Sequence, residues 1–262
     1  MSEQDTITQL QSELAALRRE QQDFNATVMH DLRAPLRHIS AYAQLLQEEA
    51  ASALTEETRG FIDTITLAAT TLSSKLDALS DYARLSVAQV HVDRVELSVL
   101  ISAIVQDSQI SRQPADSAAV QWDIAPGLPA VAVDVSLLRV ALNHVLGNAV
   151  FFSHTQAAPA VVVSASVNMS AATVVLAVRD NGIGCDLGHT DRLFGVFARL
   201  HSPHQLQGLM AGLKPPSGFV PGLGMGLACT RRIVQRLGGR VAVQSEPGGG
   251  CTVYLQLPLA TL

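Results

Sequence analysis

Four short stretches of the chain hold residue types that could do chemistry. The first, His30-Asp31-Leu32-Arg33-Ala34-Pro35-Leu36-Arg37, sets a carboxylate beside an imidazole. A neutral imidazole is a good nucleophile at physiological pH, because its reference pKa is about 6.5. An adjacent carboxylate can hold the tautomer that leaves the other ring nitrogen's lone pair free, and can stabilise the cation formed on attack. The second stretch, Asn143-His144-Val145-Leu146-Gly147-Asn148-Ala149, offers in Asn148 an amide able to ligate Mg2+ or phosphate without adding negative charge. The third, Asp180-Asn181-Gly182-Ile183-Gly184, puts two glycines after a carboxylate, so the backbone can turn tightly and pass close to a flat ligand whose exocyclic amine the carboxylate accepts. The fourth, Gly222-Leu223-Gly224-Met225-Gly226-Leu227, opens a helix with glycines that expose backbone N–H groups to phosphate oxygens. Taken singly each is weak. A His-Asp pair, a capping or surface Asn, an Asn-Gly turn and a glycine run all occur without function. Gly248-Gly249-Gly250 reads as a hairpin loop.

The elements that would carry these residues follow from periodicity. Ile7, Leu14, Gln21 and Val28 recur every seven residues, and Leu10, Leu17 and Phe24 mark the second apolar position. This is a coiled-coil seam, and with Val28 on it His30 falls toward solvent. The helix is expected to run through Pro35 to about Glu49. Thr55-Glu56-Glu57 reads as a second helix start, continued by Ile62, Ile65, Ala69, Leu72, Leu76, Leu79 and Ala83. Residues 4–86 therefore form a helical hairpin. One hairpin buries only one face, so two copies should make a dimeric four-helix bundle. From about Val92 short Val-rich strands alternate with helices. Strands are expected near 92–97, 120–124, 160–168, 172–179, 240–246 and 251–258, and helices near 98–111, 134–150, 188–198 and 224–238. Leu138, Leu142 and Val145 should face inward on the helix that carries Asn148. The fold expected is α+β in two domains: the hairpin, then an α/β sandwich in which helices cover a mixed sheet. The parts are 1–22, a coiled-coil helix continuous with the next domain, then 23–88 and 89–262. His201 to Pro221, rich in Pro and Gly, is the expected mobile segment.

Composition excludes several classes. With 18 Lys+Arg against 23 Asp+Glu, the chain shows little sign of the clustered positive surface that nucleic acid requires. Cys185, Cys229 and Cys251 lie far apart with no metal spacing, which suggests buried thiols in a reducing compartment. The polar N-terminus is no secretory signal. Ala157 to Val178 is uncharged and long enough to span a bilayer, but Pro159, Ser164, Ser166, Asn168, Ser170 and Thr173 make it two strands with a turn near Asn168-Met169-Ser170. A soluble, cytoplasmic protein without a membrane span is expected.

Together these residues resemble the two-component sensor histidine kinases. VMHDLRAPLRHIS is similar to their phosphoacceptor box, GNAVFFSH to their Asn box, DNGIG and GLGMGLA to their two glycine boxes, and LFGVFARLH to the phenylalanine box between them. All occur in the family's order across residues 24–257, and the wording is most similar to phytochrome-type kinases. The resemblance implies a transmitter core: a dimerisation and histidine phosphotransfer domain, then an ATP-binding domain of the gyrase, Hsp90, histidine kinase and MutL superfamily. It further implies that His30 is the phosphoacceptor, assisted by Asp31 as base or orienting group. Asp180 would read the adenine amino group, and Asn148 would ligate Mg2+ on ATP. Gly182 and Gly184 would shape the nucleotide pocket, and Gly222, Gly224, Gly226 and Leu227 would close on the phosphates. The implied partners are a second copy of the chain, a response regulator receiver domain that takes the phosphoryl group on an aspartate, and an upstream sensor outside this chain.

Three departures from the family pattern stand out. Phe151 occupies the place of a Lys or Arg three residues after the box Asn, so a phosphate-facing cation is missing and slower chemistry or weaker ATP binding is expected; Lys214 is a candidate substitute. Ala34 replaces the Thr or Asn that positions water for dephosphorylating the regulator. The segment after His201 is extended by LQGLMAGLKPPSG. Two other readings stay open: a phosphotransfer or pseudokinase scaffold without catalysis, which Phe151 favours, and an ATP-driven clamp of the gyrase type. The clamp lacks its Glu base, because His144 stands there.

Overall fold

The computed structural model describes residues 3–49, 54–86, 89–107, 119–188, 193–202, 206, 209 and 223–260. The chain divides into two units, Met1–Val87 and Ala88–Leu262.

The first unit is a hairpin of α1 (Glu3–Glu49) and α2 (Glu56–Leu85). α1 continues through Pro35 without ending there. α2 starts where the sequence signals it: the Thr55 hydroxyl accepts from the Thr58 N–H, and Glu56 and Glu57 face the positive end of the helix dipole. The two helices close on residues spaced by sevens. Met29, Leu36 and Ala43 are buried on α1, and Ile62, Ala69 and Leu76 on α2. Burial of each large side chain stabilises the hairpin by about 1.5–3 kcal/mol. The expected seam is not the face that closes the hairpin. Ile7, Leu10, Leu17, Phe24 and Val28 stay exposed, because packing within the chain uses the stripe one residue further on, at Met29. Ile65 and Leu72 on α2 are likewise exposed, as are Leu32, Ile39 and Leu46 on α1. The hairpin thus keeps a second apolar face.

The second unit contains β1 (Asp93–Glu96), α3 (Leu97–Gln106), β2 (Gln121–Ile124), β3 (Ala130–Val133), α4 (Val135–Ser153), β4 (Ala160–Asn168), β5 (Thr173–Asp180), α5 (Gly226–Arg236), β6 (Arg240–Ser245) and β7 (Cys251–Pro258). A five-stranded mixed sheet has the order β2-β4-β5-β7-β6, with β2 parallel to β4 and the remaining pairs antiparallel. β1 and β3 form a separate antiparallel pair. α4 and α5 pack on each other and on the sheet. The period of two sorts side chains between the faces. Val161 and Val163 on β4, Val174, Leu176 and Val178 on β5, and Val253, Leu255 and Leu257 on β7 are buried, together with Leu138, Leu142 and Leu146 of α4.

Two expectations fail here. β3 was not anticipated; its four residues follow Pro129 and run straight into a helix, too short to show alternation. The helix expected at 188–198 is not present in the described part, 188 and 193–198, which is helical only at Leu193 and then turns, with Phe197 in the left-handed region at φ 60°. The apolar stretch at 157–178 is the β4–β5 hairpin, with Asn168 Oδ1 accepting from the Ala171 N–H at the turn. Among the described residues, the helix long and apolar enough to cross a membrane by length and composition is α4, which lies in this unit's core.

Candidate active site

His30 and Asp31 stand on the outer surface of α1, with side chains 82% and 72% exposed. His30 Nδ1 lies 3.1 Å from Asp31 Oδ1. A carboxylate oxygen only accepts, so Nδ1 carries the proton and the neutral ring keeps its lone pair on Nε2, open to solvent. Three residues on, the Arg33 guanidinium bridges to Asp77 Oδ1 (2.8 Å from Nη2) and to Ser80 Oγ (3.0 Å), tying this turn of α1 to α2.

Asp180 is positioned by strand alternation. It ends β5 on the same face as Val174, Leu176 and Val178, so its carboxylate is buried at the helix side of the sheet. Oδ1 accepts from the N–H groups of Gly182 (2.9 Å) and Cys251 (3.2 Å). Burial pushes its pKa up, and those backbone donors and Arg179 offset part of the rise. The neighbouring Asn181 is structural: its amide bridges the Ala160 N–H and the Ala158 carbonyl, fixing the start of β4.

The glycines after Asp180 answer first to the protein. A Cβ on Gly182 would sit 2.4 Å from the Phe152 carbonyl oxygen. At Gly184 φ is +59° and a Cβ would sit 1.9 Å from the Glu246 carbonyl oxygen. The loop therefore threads between the end of α4 and the β6–β7 turn, where no side chain fits. Gly250 of that turn faces the Asp180 carbonyl at equally close range, so the hairpin glycines belong to this site too.

Asn148 sits half-buried on α4, one turn beyond His144. Both side chains face Gly226 at the start of α5; a Cβ there would lie 3.4 Å from Asn148 Nδ2 and 3.6 Å from His144 Nδ1. Met225, the residue before α5, makes no side-chain cap, so the first turn's N–H groups point toward this edge without a capping side chain. The structure thus brings Asn148, Gly226 and the half-buried Leu227 to one end of α4 and α5, while Gly224 packs against Ala198. Gly222 and Lys214 lie outside the described residues.

Phe151 does not face this edge. It is buried in an apolar cluster with Leu206 and Leu209, against which Phe152 and Ile183 pack. The residue read as a missing cation is a core residue, because α4 turns this position inward beside Ala149 and Val150. Phe152, His201 and Cys251 are given no role at this site by the sequence; His201 opens the segment expected to be mobile, most of which lies outside the described residues. His201 Nε2 lies 2.8 Å from the Gly184 carbonyl oxygen, and its ring stacks 4.9 Å from that of Phe152. Cys251 is held near Asp180 by its backbone. Its thiol is pushed up to about 12, chiefly by burial and then by the Asp180 and Cys185 charges. All three cysteines are free.

Residues 20–87 match the His Kinase A (phospho-acceptor) domain family, and residues 133–261 match the family of histidine kinase-, DNA gyrase B- and HSP90-like ATPases. Similar proteins include the phytochrome-like protein Cph1 of Synechocystis, 26% identical over 94% of this chain and 31% of the relative. The sensor-like histidine kinase SenX3 of Mycobacterium bovis is 30% identical over 95% of this chain and 56% of the relative. The chain therefore spans about a third to a half of the relatives it matches. Among solved structures, full-length ShkA in complex with AMPPNP superposes with a TM-score of 0.60 at 25% identity, over 92% of this chain and 46% of that one. Acinetobacter baumannii histidine kinase AdeS shares the fold, with a TM-score of 0.51 at 15% identity over 88% of this chain and 98% of that one.

Proposed function

This chain belongs to the sensor histidine kinases as a transmitter core, and from that premise we propose that it phosphorylates its own His30 from Mg-ATP and passes the group to an aspartate of a response regulator. The observation that carries the reading is Asp180: a buried carboxylate held on Oδ1 by two backbone N–H groups, beside a loop too tight for side chains. We assign Oδ2 to the adenine amino group. The α5 N-terminus, from Gly226 and Leu227, is assigned to the phosphates.

In the transfer, His30 Nε2 forms a bond to the γ-phosphorus in line with the breaking bond to the β–γ bridging oxygen, and ADP leaves. Asp31 holds Nδ1–H and stabilises the cation that develops on the ring. The remaining contribution is positioning and charge neutralisation. Among the described residues no group of three or more His, Cys, Asp or Glu side chains could cage a metal. Asn148 fits the remaining role of a single protein ligand to a magnesium ion carried on the triphosphate, where the ion would neutralise phosphate charge.

The exposed apolar stripe of Phe24, Val28, Leu32, Ile39 and Leu46, with Phe61, Ile65 and Leu72, supports a homodimeric four-helix bundle. Three free cysteines accord with a reducing, cytoplasmic setting. Ala34 beside the His30 turn supplies no polar group to hold a water, so little phosphatase activity is expected toward the regulator. A scaffold without catalysis stays the second reading, because Phe151 is buried with Leu206 and Leu209 and supplies no cation to the phosphates.

The test is incubation with γ-labelled ATP and Mg2+ beside His30→Ala and Asn148→Ala variants. Acid-labile, base-stable label that both substitutions abolish is the expected result. No label in the parent, with His30 still accepting phosphate from a phosphorylated regulator, would leave the scaffold.

A further inference from the structure

We infer that His201 is a positioning residue of the nucleotide site, acting with Phe152 as a clamp that sets the loop carrying Gly182 and Gly184 and, through it, the Asp180 carboxylate. Asp180 Oδ1 accepts from the Gly182 and Cys251 N–H groups, so His201 and Phe152 act on it through the loop. His201 Nε2 lies 2.8 Å from the Gly184 carbonyl oxygen, which can only accept, so Nε2 carries the proton and donates. The same imidazole stacks on the Phe152 ring, with centroids 4.9 Å apart and planes inclined at 31°. Phe152 holds the loop a second time through its backbone, whose carbonyl accepts from the Ile183 N–H at 3.2 Å. From the other side the Gly248 N–H donates to the Ile183 carbonyl at 2.7 Å.

These hydrogen bonds converge on two consecutive residues, Ile183 and Gly184, and the residue just before them, Gly182, donates its N–H to Asp180 Oδ1. Releasing His201 frees the far end of the loop at Gly184, and the error is passed two residues back to the donor that aims the carboxylate. Beneath the clamp, Phe151 with Leu206 and Leu209 supports both Phe152 and Ile183. The clamp thus joins the last turn of α4, the loop after β5 and the segment ending at His201, which are far apart in sequence.

The inference rests on the reading that Asp180 receives the adenine of ATP. It makes the ring and the donor of His201 separable. His201→Phe keeps a stacking partner for Phe152 and loses the N–H; His201→Gln keeps a donor and loses the ring; His201→Ala loses both.

The experiment measures Mg-ATP binding by calorimetry and autophosphorylation kinetics for the parent and the three variants. Folding is followed by fluorescence of Trp122, the chain's one tryptophan, which lies in the β2 strand of this unit. We expect His201→Ala to weaken Mg-ATP about tenfold, with smaller losses in His201→Phe and His201→Gln, the size produced when one hydrogen bond and one ring contact cease to preorganise a loop. KM for ATP should rise by the same factor while the rate at saturating ATP stays within about threefold, and the Trp122 transition should scarcely move. A merely structural histidine would shift that transition and leave the affinity of the folded protein alone. Parental affinity in all three variants, or a fall in kcat at constant KM, overturns the clamp and leaves the kinase reading standing. If His201→Ala does not fold, His201→Phe at parental affinity gives the same refutation. A parent that binds no Mg-ATP overturns the reading of Asp180 and the clamp together.

Discussion

Replacing Gly184 by alanine tests whether the loop after Asp180 is shaped by the protein or by its ligand. Two costs are readable from the structure. The residue sits at φ +59°, a left-handed conformation that costs an L-residue about 1–2 kcal/mol. Its Cβ would also stand 1.9 Å from the Glu246 carbonyl oxygen and 3.0 Å from that of Gly250. Both obstacles are backbone, so the β6–β7 turn must shift, and overpacking of this kind costs about 1–3 kcal/mol more. The total, about 2–5 kcal/mol, is a large share of the roughly 5–15 kcal/mol by which a domain is stable. A control isolates the second cost. Gly127 has φ +70° with open space where its Cβ would go, so Gly127→Ala should lose only the first. Urea unfolding followed at Trp122 reports on this unit without interference from the hairpin. With an m value of about 1–3 kcal/mol/M, Gly184→Ala should unfold at a midpoint about 1 M below Gly127→Ala. Equal midpoints for the two variants would refute the claim that protein backbone, and not a bound nucleotide, demands glycine here.

Three further predictions follow from the carboxylates and the thiol. Asp180→Asn should weaken Mg-ATP about 10–100-fold, the value of a hydrogen bond to a charged group, as read by calorimetry. Because burial raises the Asp180 pKa, its stabilising effect is present in acid and lost as pH rises through that raised value, so the neutral amide should match or exceed the parent's urea midpoint at pH 7. By the same linkage the parent's Mg-ATP affinity should fall on acidification, starting above the pH at which an ordinary aspartate titrates. Asp134 has the opposite sign. Burial alone would raise its pKa, but N–H donors from His91, Leu137 and Ser136 outweigh that and hold it below the usual range. Asp134→Ala should therefore cost about 1 kcal/mol at neutral pH, and the gap to the parent's urea midpoint should close as pH falls through the depressed value. With its thiol raised from 9.0 to about 12, Cys251 should react with iodoacetamide at pH 8 roughly 10^3-fold more slowly than a free cysteine, scored by mass spectrometry. Rapid labelling would contradict the burial.

Most of the elements, and the residues now grouped at the site, were legible because they rest on local physics. The Thr55 cap, the hairpin turn at Asn168 and the alternation Val174-Leu176-Val178-Asp180 each depend on residues within one or two turns of each other. The same alternation continues into Asp180 in the structure and buries its carboxylate, although the sequence reads the residue as following the strand. The helical spacing on α4 likewise put Leu138, Leu142 and Val145 inward. His30 was placed toward solvent by counting from Val28, and it is exposed. What could not be read locally was which of several apolar stripes meets which partner. Sevenfold spacing marks Val28 and Met29 on adjacent stripes, and only the approach of α2 selected Met29 for the hairpin interior. β3 went unseen because four residues do not establish a period, and its identity comes from pairing with β1 across more than thirty intervening residues.

The sequence by itself therefore determined the two domains' character and the chemical groups on hand: an imidazole with its carboxylate, an aspartate ahead of two glycines, an amide and glycines at the start of a helix. Tertiary structure alone decided what those groups face. Phe151, which stands where a cation is expected, is buried by Leu206 and Leu209. His201 reads only as the edge of a mobile segment until its Nε2 reaches the Gly184 carbonyl and its ring meets Phe152. The reason is physical: periodicity and propensity act over a few residues, whereas a contact between segments separated by many residues exists only once the sheet and its helices have brought their backbones together.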